Sequence, residues 1–286
     1  MQTRTIGTTT VGAIGLGGMP MSIEGRPDDR ARCVATIHAA LDAGVTLIDT
    51  ADAYHLDSSD TGHNETLIAE ALATYGGDTS SVLVATKGGH TRPGGGAWEL
   101  DGSPDHLRAA CDASLKRLGV DAIGLYQFHR PDPNVPYAES IGALRDLLDE
   151  GKIAMAGISN ADPAQIELAD EVLGGRLASV QNEFSPRFRS SEPELRLCAA
   201  KGIAFLPWSP FGGISRAADL GSRHQAFREV ADERGVSPQQ VTLAWMLAKA
   251  PVVIPIPGSS RPDTIRDSAA AADLELTAEA LTRLDG

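Results

Sequence analysis

The stretch from Ser103 to Phe128, SPDHLRAACDASLKRLGVDAIGLYQF, contains one complete helix and strand unit. It begins with a serine, whose side-chain oxygen can cap a helix, and a proline, which suits the first helical position. Gly119 follows the helical pattern Pro104–Leu118, at the place where a left-handed residue often ends a helix. The run Ile123–Phe128 is mostly apolar rather than alternating, which is typical of a parallel strand buried on both faces. This segment therefore predicts a helix that leads into a buried parallel strand.

The same unit recurs on both sides of this stretch. Short apolar runs predict strands at Ala13–Leu16, Thr46–Asp49, Val82–Thr86, Ile123–Phe128, Ala154–Ile158, Ser179–Asn182, Ala204–Pro207 and Val252–Ile256. Helical patterns lie between them at Arg30–Ala43, Glu65–Tyr75, Pro104–Leu118, Ala138–Glu150, Pro163–Leu173, Pro193–Lys201 and Pro238–Ala250. Eight strands that alternate with helices, without a linker between two halves, predict an α/β fold, the (β/α)8 TIM barrel. We therefore expect a single barrel domain over residues 1–286.

The N-terminal region helps to choose between this barrel and a doubly wound sheet. A doubly wound sheet should join its first strand to its first helix through a Gly-rich turn of the form GxGxxG. Here the glycines of 15–18, in the order GLGG, are followed by Met19-Pro20-Met21, and that spacing does not match. Ahead of the first strand, Thr5–Val11 predicts a short β-hairpin around Gly7, which would cross the bottom of the barrel.

Two further helix starts carry capping patterns. The pairs Asp162 with Gln165 and Ser191 with Glu194 each resemble a capping box, in which the two side chains satisfy free amides at a helix N-terminus. We expect both helices to begin with these reciprocal hydrogen bonds.

The composition excludes several classes of protein. The formal net charge of -13 disfavours a general nucleic-acid binder, which would carry a basic patch. Cys33, Cys111 and Cys198 are odd in number and show no metal-binding or redox spacing, as expected for buried residues in a reducing compartment. Residues 1–12 lack the continuous apolar run of a signal peptide, and no apolar run reaches membrane-spanning length. We therefore expect a cytoplasmic protein that binds neither nucleic acid nor membrane.

Several polar residues follow the predicted strands, where a barrel places its active site. Asp49, Lys87 and His129 stand at three strand ends, and Tyr54 lies in the loop after the second strand. Taken singly, the aspartate could fix a loop, the lysine could extend along the surface, and the histidine and tyrosine could be packing residues. Those separate roles do not require all four side chains to meet at one face, whereas a shared site does.

The four residue types make chemical sense together. A phenol has a pKa near 10 and is a poor acid at neutral pH. A nearby ammonium stabilises the phenolate and lowers that pKa, a carboxylate can hold the ammonium, and an imidazole can orient the reacting oxygen. The set fits the transfer of one proton to a carbonyl oxygen while hydride reaches the carbon. The His and carboxylate spacing shows no metal-ligand pattern, so no metal is expected.

Several motifs resemble the aldo-keto reductase superfamily over nearly the whole chain. They are Leu47–Tyr54 (LIDTADAY), Ala85–Lys87, Gln127–Asp132 (QFHRPD), Gly157–Asn160, Val180–Asn182, Pro207–Pro210 (PWSP) and Ile256–Ser259. The resemblance implies that Tyr54 is the general acid, Lys87 lowers its pKa, Asp49 pairs with Lys87 and His129 orients the carbonyl. It further implies an NADP(H)-dependent oxidoreductase that interconverts an aldehyde or ketone and an alcohol.

The resemblance also assigns cofactor contacts. Ser159, Asn160 and Gln181 would bind the nicotinamide carboxamide, and Trp208 would stack on the nicotinamide ring. Other cofactor contacts are implied at Gly17, Gly18, Met19, Ser209, Pro210, Gly212, Gly258, Ser259 and Arg261. The 2′-phosphate end departs from the common pattern, because Gly258, Thr264 and Ser268 stand where many members have Lys, Arg and Asn. Arg261, with Arg266 as a second candidate, must then supply the positive charge, and NAD(H) is also possible.

The sequence also indicates candidates for a substrate pocket and leaves rival functions open. Trp98, in the glycine-rich segment 88–102, predicts a wall of the pocket, with His55 and Tyr126 as weaker candidates. Little chain follows the helical segment Thr277–Leu284, which resembles short-tailed, bacterial-type members and implies an open pocket for small aldehydes, ketones or sugar-like substrates. One alternative is a cofactor-binding, redox-sensing regulatory subunit with little turnover, and another is a lyase or isomerase that uses Lys87 as a Schiff-base nucleophile. The expected partner is a small carbonyl or alcohol substrate, and the pattern predicts no oligomeric state.

Overall fold

The computed structural model describes the backbone of residues 1–286 and all side chains except those at positions 214, 215 and 218. The strands are β1 (Thr3–Ile6), β2 (Thr9–Gly12), β3 (Leu16–Gly17), β4 (Leu47–Asp49), β5 (Leu83–Gly88), β6 (His90–Thr91), β7 (Glu99–Leu100), β8 (Leu125–Phe128), β9 (Ala156–Ser159), β10 (Leu177–Gln181) and β11 (Ala204–Phe205). The helices are α1 (Arg30–Asp42), α2 (His63–Thr74), α3 (Pro104–Leu118), α4 (Tyr137–Asp149), α5 (Pro163–Val172), α6 (Glu192–Lys201), α7 (Leu220–Arg223), α8 (Gln225–Arg234), α9 (Pro238–Leu247), α10 (Pro262–Ala270) and α11 (Ala278–Asp285).

Strands and helices alternate around a curled parallel sheet. Within the described backbone, seven strands pair in the order β11, β10, β9, β8, β5, β4, β3, and every pairing between them is parallel. Each connection between neighbouring strands passes through a helix, as a parallel sheet requires. The predicted α/β class is confirmed.

The barrel closes through the segment 252–257, where the sequence predicts the eighth strand. The amides of Ile254 and Ile256 donate to the carbonyls of Phe205 and Pro207, at 2.9 and 3.2 Å. On the other side, the amides of Gly15 and Gly17 donate to the carbonyls at positions 255 and 257, both at 2.9 Å. Positions 255 and 257 are prolines, which cannot donate, so toward β3 these two positions only accept hydrogen bonds. The segment therefore lacks a regular ladder on that side.

The predicted N-terminal hairpin is present at the bottom of the barrel. Strands β1 and β2 pair antiparallel, and Gly7 in their turn has φ +53°, a conformation that favours glycine. Ile6 and Val11 are buried in one cluster with residues from the barrel interior, including Met155 and Ala178 near the amino ends of β9 and β10. The hairpin therefore covers the amino-terminal face and leaves the opposite face open for a site.

Local capping explains several of the observed boundaries. Helix α3 begins and ends where the sequence predicts, because the Ser103 hydroxyl accepts from the amide of His106 and Gly119 ends the helix with φ +69°. The capping box of Asp162 and Gln165 is confirmed at α5. The one expected at Ser191 is wrong: its ψ of 15° is not the extended conformation that directs a capping oxygen at the first turn, and its side chain makes no capping bond.

Some elements of the fold were not predicted from the sequence. The sequence interpretation missed α7, α8 and the small antiparallel hairpin of β6 and β7 within the segment 88–102.

The three cysteines are buried and unpaired. Among the described residues, no helix is both long and apolar enough to cross a bilayer, and no group of three or more metal-binding side chains occurs.

Candidate active site

The carboxyl ends of the parallel strands surround a cavity of about 550 Å³. This volume is typical of small-molecule and cofactor sites, which span roughly 300–1,000 Å³. Strand β4 ends at Asp49, β5 contains Lys87 just before its last residue, and His129 follows β8 directly. Tyr54 lies in the loop after β4. The barrel thus brings together four residues that we call the Tyr54 cluster: Asp49, Tyr54, Lys87 and His129.

Lys87 is the centre of the Tyr54 cluster, and its side chain is fully buried. Its ammonium donates to Asp49 Oδ1 at 2.6 Å, to the Thr50 carbonyl at 2.8 Å and to the Tyr54 hydroxyl at 3.2 Å. Burial lowers the pKa of Lys87, but the Asp49 carboxylate and Tyr54 outweigh it, and the pKa lies above its ordinary value. Lys87 is therefore charged beneath the cavity and is not a surface lysine.

Asp49 is held in place by two glutamine amides. Its Oδ2 accepts from the side-chain amide of Gln181 at 2.7 Å and from that of Gln127 at 3.3 Å. The Ser179 hydroxyl donates to Oε1 of Gln127 at 3.2 Å, which fixes which way the amide of Gln127 points. Gln181, which the resemblance assigns to the nicotinamide carboxamide, thus supports Asp49 while it also lines the cavity.

Tyr54 is buried and lines the cavity. Its ring lies edge-on to that of His129, with 5.8 Å between the ring centroids. Burial raises the pKa of Tyr54, while the Lys87 ammonium lowers it, and the pKa lies above its ordinary value. The sequence interpretation predicts the effect of the lysine, but burial is the larger effect. The phenol is therefore protonated at neutral pH and can act as an acid.

His129 lines the cavity as a neutral imidazole. Burial, together with the Lys87 ammonium, holds the pKa of His129 well below its usual range. Its Nδ1 is buried without a hydrogen-bond partner among the described residues. Because an orphaned N–H is rarer inside proteins than an orphaned acceptor, the ring proton is assigned to Nε2. His129 can then donate a hydrogen bond into the cavity.

Most residues that the sequence predicts for the cofactor line the same cavity: Gly17, Met19, Ser159, Asn160, Gln181, Trp208, Ser209, Pro210, Gly258, Ser259 and Arg261. Gly18 does not line it, because its amide donates to the Asp49 carbonyl at 2.8 Å and its carbonyl accepts from Asn64 at 2.9 Å. Gly212 also lies outside the lining, between two residues that belong to it. These two glycines shape the surrounding loops.

The end of β9 is fastened to its neighbours by side chains. Asn160 has φ +58°, a left-handed conformation that asparagine tolerates better than most residues. Its amide donates to the His129 carbonyl at 3.0 Å and to the Ser159 hydroxyl at 3.0 Å. The Ser159 hydroxyl in turn donates to the Gln181 carbonyl at 2.8 Å. This network fixes three adjoining strand ends around the cavity.

The cavity also reaches the start of α10. The Ser259 hydroxyl accepts from the amide of Arg261 at 3.3 Å and donates to its carbonyl at 3.0 Å, which makes a tight turn before the helix. Arg261 and Thr264 line the cavity. Arg266, the second candidate for the 2′-phosphate, instead pairs with Asp263 at 3.1 Å and lies outside the lining. Arg261 therefore brings positive charge to a helix N-terminus, where anions bind readily.

The two candidates for the substrate pocket are placed differently. Trp98 lines the cavity, and its ring lies edge-on to Tyr54 with 6.5 Å between centroids. His55 is buried but does not belong to the lining of the cavity. Tyr126, named with His55 as a weaker candidate, is fully buried, and its hydroxyl donates to the Leu107 carbonyl at 3.1 Å. Only the tryptophan is in a position to contact a ligand in this cavity.

Comparisons with known proteins identify the family. The model of the Aldo/keto reductase family matches residues 13–286. The chain belongs to the aldo/keto reductase family. It is 37% identical over 269 residues to the 6-dehydroglucose reductase of Novosphingobium aromaticivorans, covering 91% of this chain and 86% of that protein.

Two further aldo/keto reductase relatives extend the comparison. The pyridoxine 4-dehydrogenase of Escherichia coli is 31% identical over 295 aligned positions, covering 99% of this chain and 97% of that protein. The crystal structure of an aldo/keto reductase from Klebsiella pneumoniae in complex with NADP and acetate superposes with a TM-score of 0.82 at 28% identity. That comparison covers 99% of this chain and 94% of the Klebsiella chain. The predicted family and barrel fold are confirmed, and the chain is a member of an oxidoreductase family.

Some lining residues of this aldo/keto reductase were missed as candidates by sequence reasoning. They are Pro20, His90, Arg130, Phe211, Gly213, Ala217, Ile256 and Ser260. Gln127, which holds Asp49 from below, was also missed. A polar residue within the barrel strand β8 was the available signal for Gln127. His90 and Arg130 gave a weaker one, because each closely follows a residue of the Tyr54 cluster in the chain.

Proposed function

We propose that this aldo/keto reductase interconverts an aldehyde or ketone and the corresponding alcohol with NADP(H), and that Tyr54 is its general acid and base. The observation that carries the proposal is the buried Lys87 ammonium, which hydrogen-bonds both Asp49 and the Tyr54 hydroxyl below a cavity that His129 also lines. We further propose a cytoplasmic protein whose single domain comprises residues 1–286.

The lining residues fit a nicotinamide dinucleotide. The Trp208 indole offers a flat face for the nicotinamide ring, and the hydroxyl and amide groups of Ser159 and Asn160 offer partners for its carboxamide. Arg261 and the N-terminus of α10 offer positive charge for a phosphate. The cofactor, when bound, supplies the hydride in reduction and accepts it in oxidation.

The residues of the Tyr54 cluster then handle the proton. The neutral phenol of Tyr54 and the Nε2–H of His129 both donate toward a carbonyl oxygen in the cavity, which polarises the carbonyl and orients it. Tyr54 transfers its proton to that oxygen in reduction. The adjacent Lys87 ammonium stabilises the resulting phenolate, and Asp49 keeps the ammonium in position. In oxidation the phenolate takes the proton back.

The names of the relatives suggest the substrates to try first. One relative is a reductase of 6-dehydroglucose and another is a dehydrogenase of pyridoxine. We propose small aldehydes, ketones and sugar-like carbonyl compounds for this chain, and a substrate screen should include sugars and pyridoxal-type aldehydes. Absorbance of NADPH follows reduction, and the appearance of NADPH from NADP follows oxidation of the alcohols.

The substitution Tyr54→Phe tests the proposed role of the phenol. We expect kcat to fall roughly 10²–10⁴-fold, the usual contribution of a positioned proton donor. The Kd for NADPH should be unchanged, because the substitution keeps the ring. The control is Tyr75→Phe, which removes a surface hydroxyl that donates to Asp42 far from the cavity. A wild-type kcat for Tyr54→Phe on any accepted aldehyde would refute the role.

The same measurements separate catalysis from redox sensing. Tight NADPH binding without oxidation across a broad panel of aldehydes and ketones would favour the regulatory alternative. Borohydride trapping of a substrate adduct at Lys87 would instead favour lyase chemistry. We expect turnover and no adduct, because Lys87 is charged and fully enclosed.

A further inference from the structure

The cavity contains a second imidazole beside that of His129. His90 is the first residue of the two-residue strand β6, where it pairs with Leu100 of β7. Its ring stands perpendicular to the ring of His129, with 4.5 Å between the centroids, and it lines the cavity. The mechanism proposed above gives His90 no task.

The hydrogen bonding of His90 fixes which of its nitrogens carries the proton. Its Nδ1 lies 3.0 Å from the carbonyl oxygen of Glu99. A carbonyl oxygen can only accept, so Nδ1 must be the donor. Burial lowers the pKa of His90 and outweighs the hydrogen bond to the Glu99 carbonyl, which raises it. The cations of Arg130 and Lys87 lower the pKa further, which leaves the ring neutral. The remaining nitrogen, Nε2, therefore holds a lone pair and acts as an acceptor.

The acceptor of His90 is free for a ligand. Among the described residues Nε2 has no hydrogen-bond partner. It is also absent from the buried atoms without a partner, so it is reached by solvent. The side chain lines the cavity, so a ligand bound there can approach this ring. A site that offers such an acceptor selects ligands that carry a donor, since a ligand without one leaves the acceptor unpaired.

The donors and acceptors of the site thus differ from one position to the next. Tyr54 and His129 present donors, which match the lone pairs of a carbonyl oxygen. His90 presents an acceptor next to His129, which matches the hydrogen of a hydroxyl. The 4.5 Å between the two ring centroids favours a substrate whose carbonyl and hydroxyl groups are close neighbours.

We propose that His90 accepts a hydrogen bond from a hydroxyl group on the carbon next to the reacting carbonyl, so that the preferred substrates are α-hydroxy aldehydes and ketones. This inference rests on the proposed function, because it takes Tyr54 and His129 as the groups that bind the carbonyl oxygen. His90 acts here in substrate recognition and moves no proton to the reacting atoms.

The test compares two ketones that differ in one hydrogen-bond donor. Hydroxyacetone carries the hydroxyl, and methoxyacetone keeps the electron-withdrawing oxygen but has no O–H. For the wild-type protein with NADPH, we expect kcat/KM to favour hydroxyacetone about five- to tenfold, the weight of one hydrogen bond. In His90→Phe, which keeps an aromatic ring against His129, the ratio should fall to about one through loss on hydroxyacetone. His90→Gln, which retains an acceptor, should restore part of the preference.

The possible results have distinct meanings. A wild-type ratio near one overturns the recognition role, because the hydroxyl then contributes nothing. A preference for hydroxyacetone that persists in His90→Phe also overturns it, because packing or the bulk of the methyl group would then explain the selectivity. If the wild-type protein reduces neither ketone, the proposed function fails for these compounds, and recognition is measured by calorimetric binding to the NADP-loaded protein. Tighter binding of 1,2-propanediol than of 1-methoxy-2-propanol, lost in His90→Phe, supports the role, and equal binding overturns it.

Discussion

At the scale of single residues, the site is built on partners that keep each functional group in one state. Lys87 remains charged because Asp49 and Tyr54 contact its ammonium, although the side chain is fully buried. Asp49 keeps its orientation because Gln127 and Gln181 donate to its second oxygen. A buried charge without such partners would be too costly to retain. The chemistry of the Tyr54 cluster therefore depends on the two glutamines as well as on its own four residues.

The residue-scale prediction concerns Arg261 and the cofactor phosphate. Arg261→Ala should raise the Kd for NADPH roughly tenfold or more and leave the Kd for NADH nearly unchanged, because it removes a hydrogen bond to a charged group that only NADPH carries. Fluorescence titration of both cofactors provides the measurement. Arg266→Ala is the matched control, since Arg266 pairs with Asp263 outside the cavity. An unchanged preference between the two cofactors in Arg261→Ala would rule out this role.

At the scale of structural elements, the hairpin of β6 and β7 forms one wall of the cavity. It carries both His90 and Trp98, whose rings lie edge-on with 5.3 Å between centroids. Arg92 fastens the hairpin, because its guanidinium stacks 4.2 Å from the centroid of the Trp98 ring and also pairs with Glu24 outside the hairpin. The side chain of Arg92 is fully buried, whereas that of Glu24 is 52% exposed.

The element-scale prediction is that loss of Arg92 loosens this wall. Arg92→Ala should raise KM for carbonyl substrates several-fold, with little change in kcat or in the Kd for NADPH, because the recorded partners of the Arg92 guanidinium are Glu24 and Trp98 rather than the Tyr54 cluster. Glu24 is partly solvated and tolerates the loss of its partner. Hydrogen exchange of residues 88–102 should become faster in Arg92→Ala than in Glu24→Gln, which keeps an acceptor for the guanidinium. Equal exchange rates in Arg92→Ala and the wild type would contradict the fastening role.

At the scale of the whole molecule, the barrel contains a buried acid that the catalytic proposal does not use. Asp52 is buried, and its Oδ1 has no hydrogen-bond partner among the described residues. Burial and the nearby Glu65 carboxylate raise the pKa of Asp52 to about 8, against the opposing effect of Arg117. Asp52 is therefore protonated in the folded protein at pH 7 but ionised in the unfolded chain.

The whole-molecule prediction follows from the sign of this shift. Because the folded pKa lies above the unfolded value, the stabilising contribution of Asp52 is complete below pH 4 and is lost as the pH rises toward 8. Between pH 5 and pH 8 the free energy of unfolding should fall by up to about 4 kcal/mol more in the wild type than in Asp52→Asn, which cannot ionise. Urea unfolding at both pH values measures the difference. The control is Asp121→Asn, at an exposed position, which should show the same fall in the free energy of unfolding as the wild type. The same fall in Asp52→Asn would contradict the prediction.

Much of the fold and part of the site could be predicted from local patterns. The boundaries of α3 follow from Ser103 and Gly119, because capping is decided within a few residues of the helix end. The alternation of buried strands and helices predicts the barrel, and the barrel in turn predicts that Asp49, Lys87 and His129 meet at one face. The family resemblance of the strand-end motifs supplied the roles of these residues, which remain proposals.

The sequence by itself therefore determined the alternation of the barrel strands with most of the helices and the four residues of the Tyr54 cluster. The tertiary structure decided the rest: Gln127 reaches Asp49 across 78 positions of the chain, a Pro-containing segment closes the barrel, and the side chain of His55 lies outside the cavity. It also decided that burial outweighs Lys87 in setting the pKa of Tyr54 and that His90 presents a free acceptor beside His129. The physical reason is that capping and periodicity act over a few residues, whereas burial and long-range hydrogen bonds exist only once the whole barrel has closed.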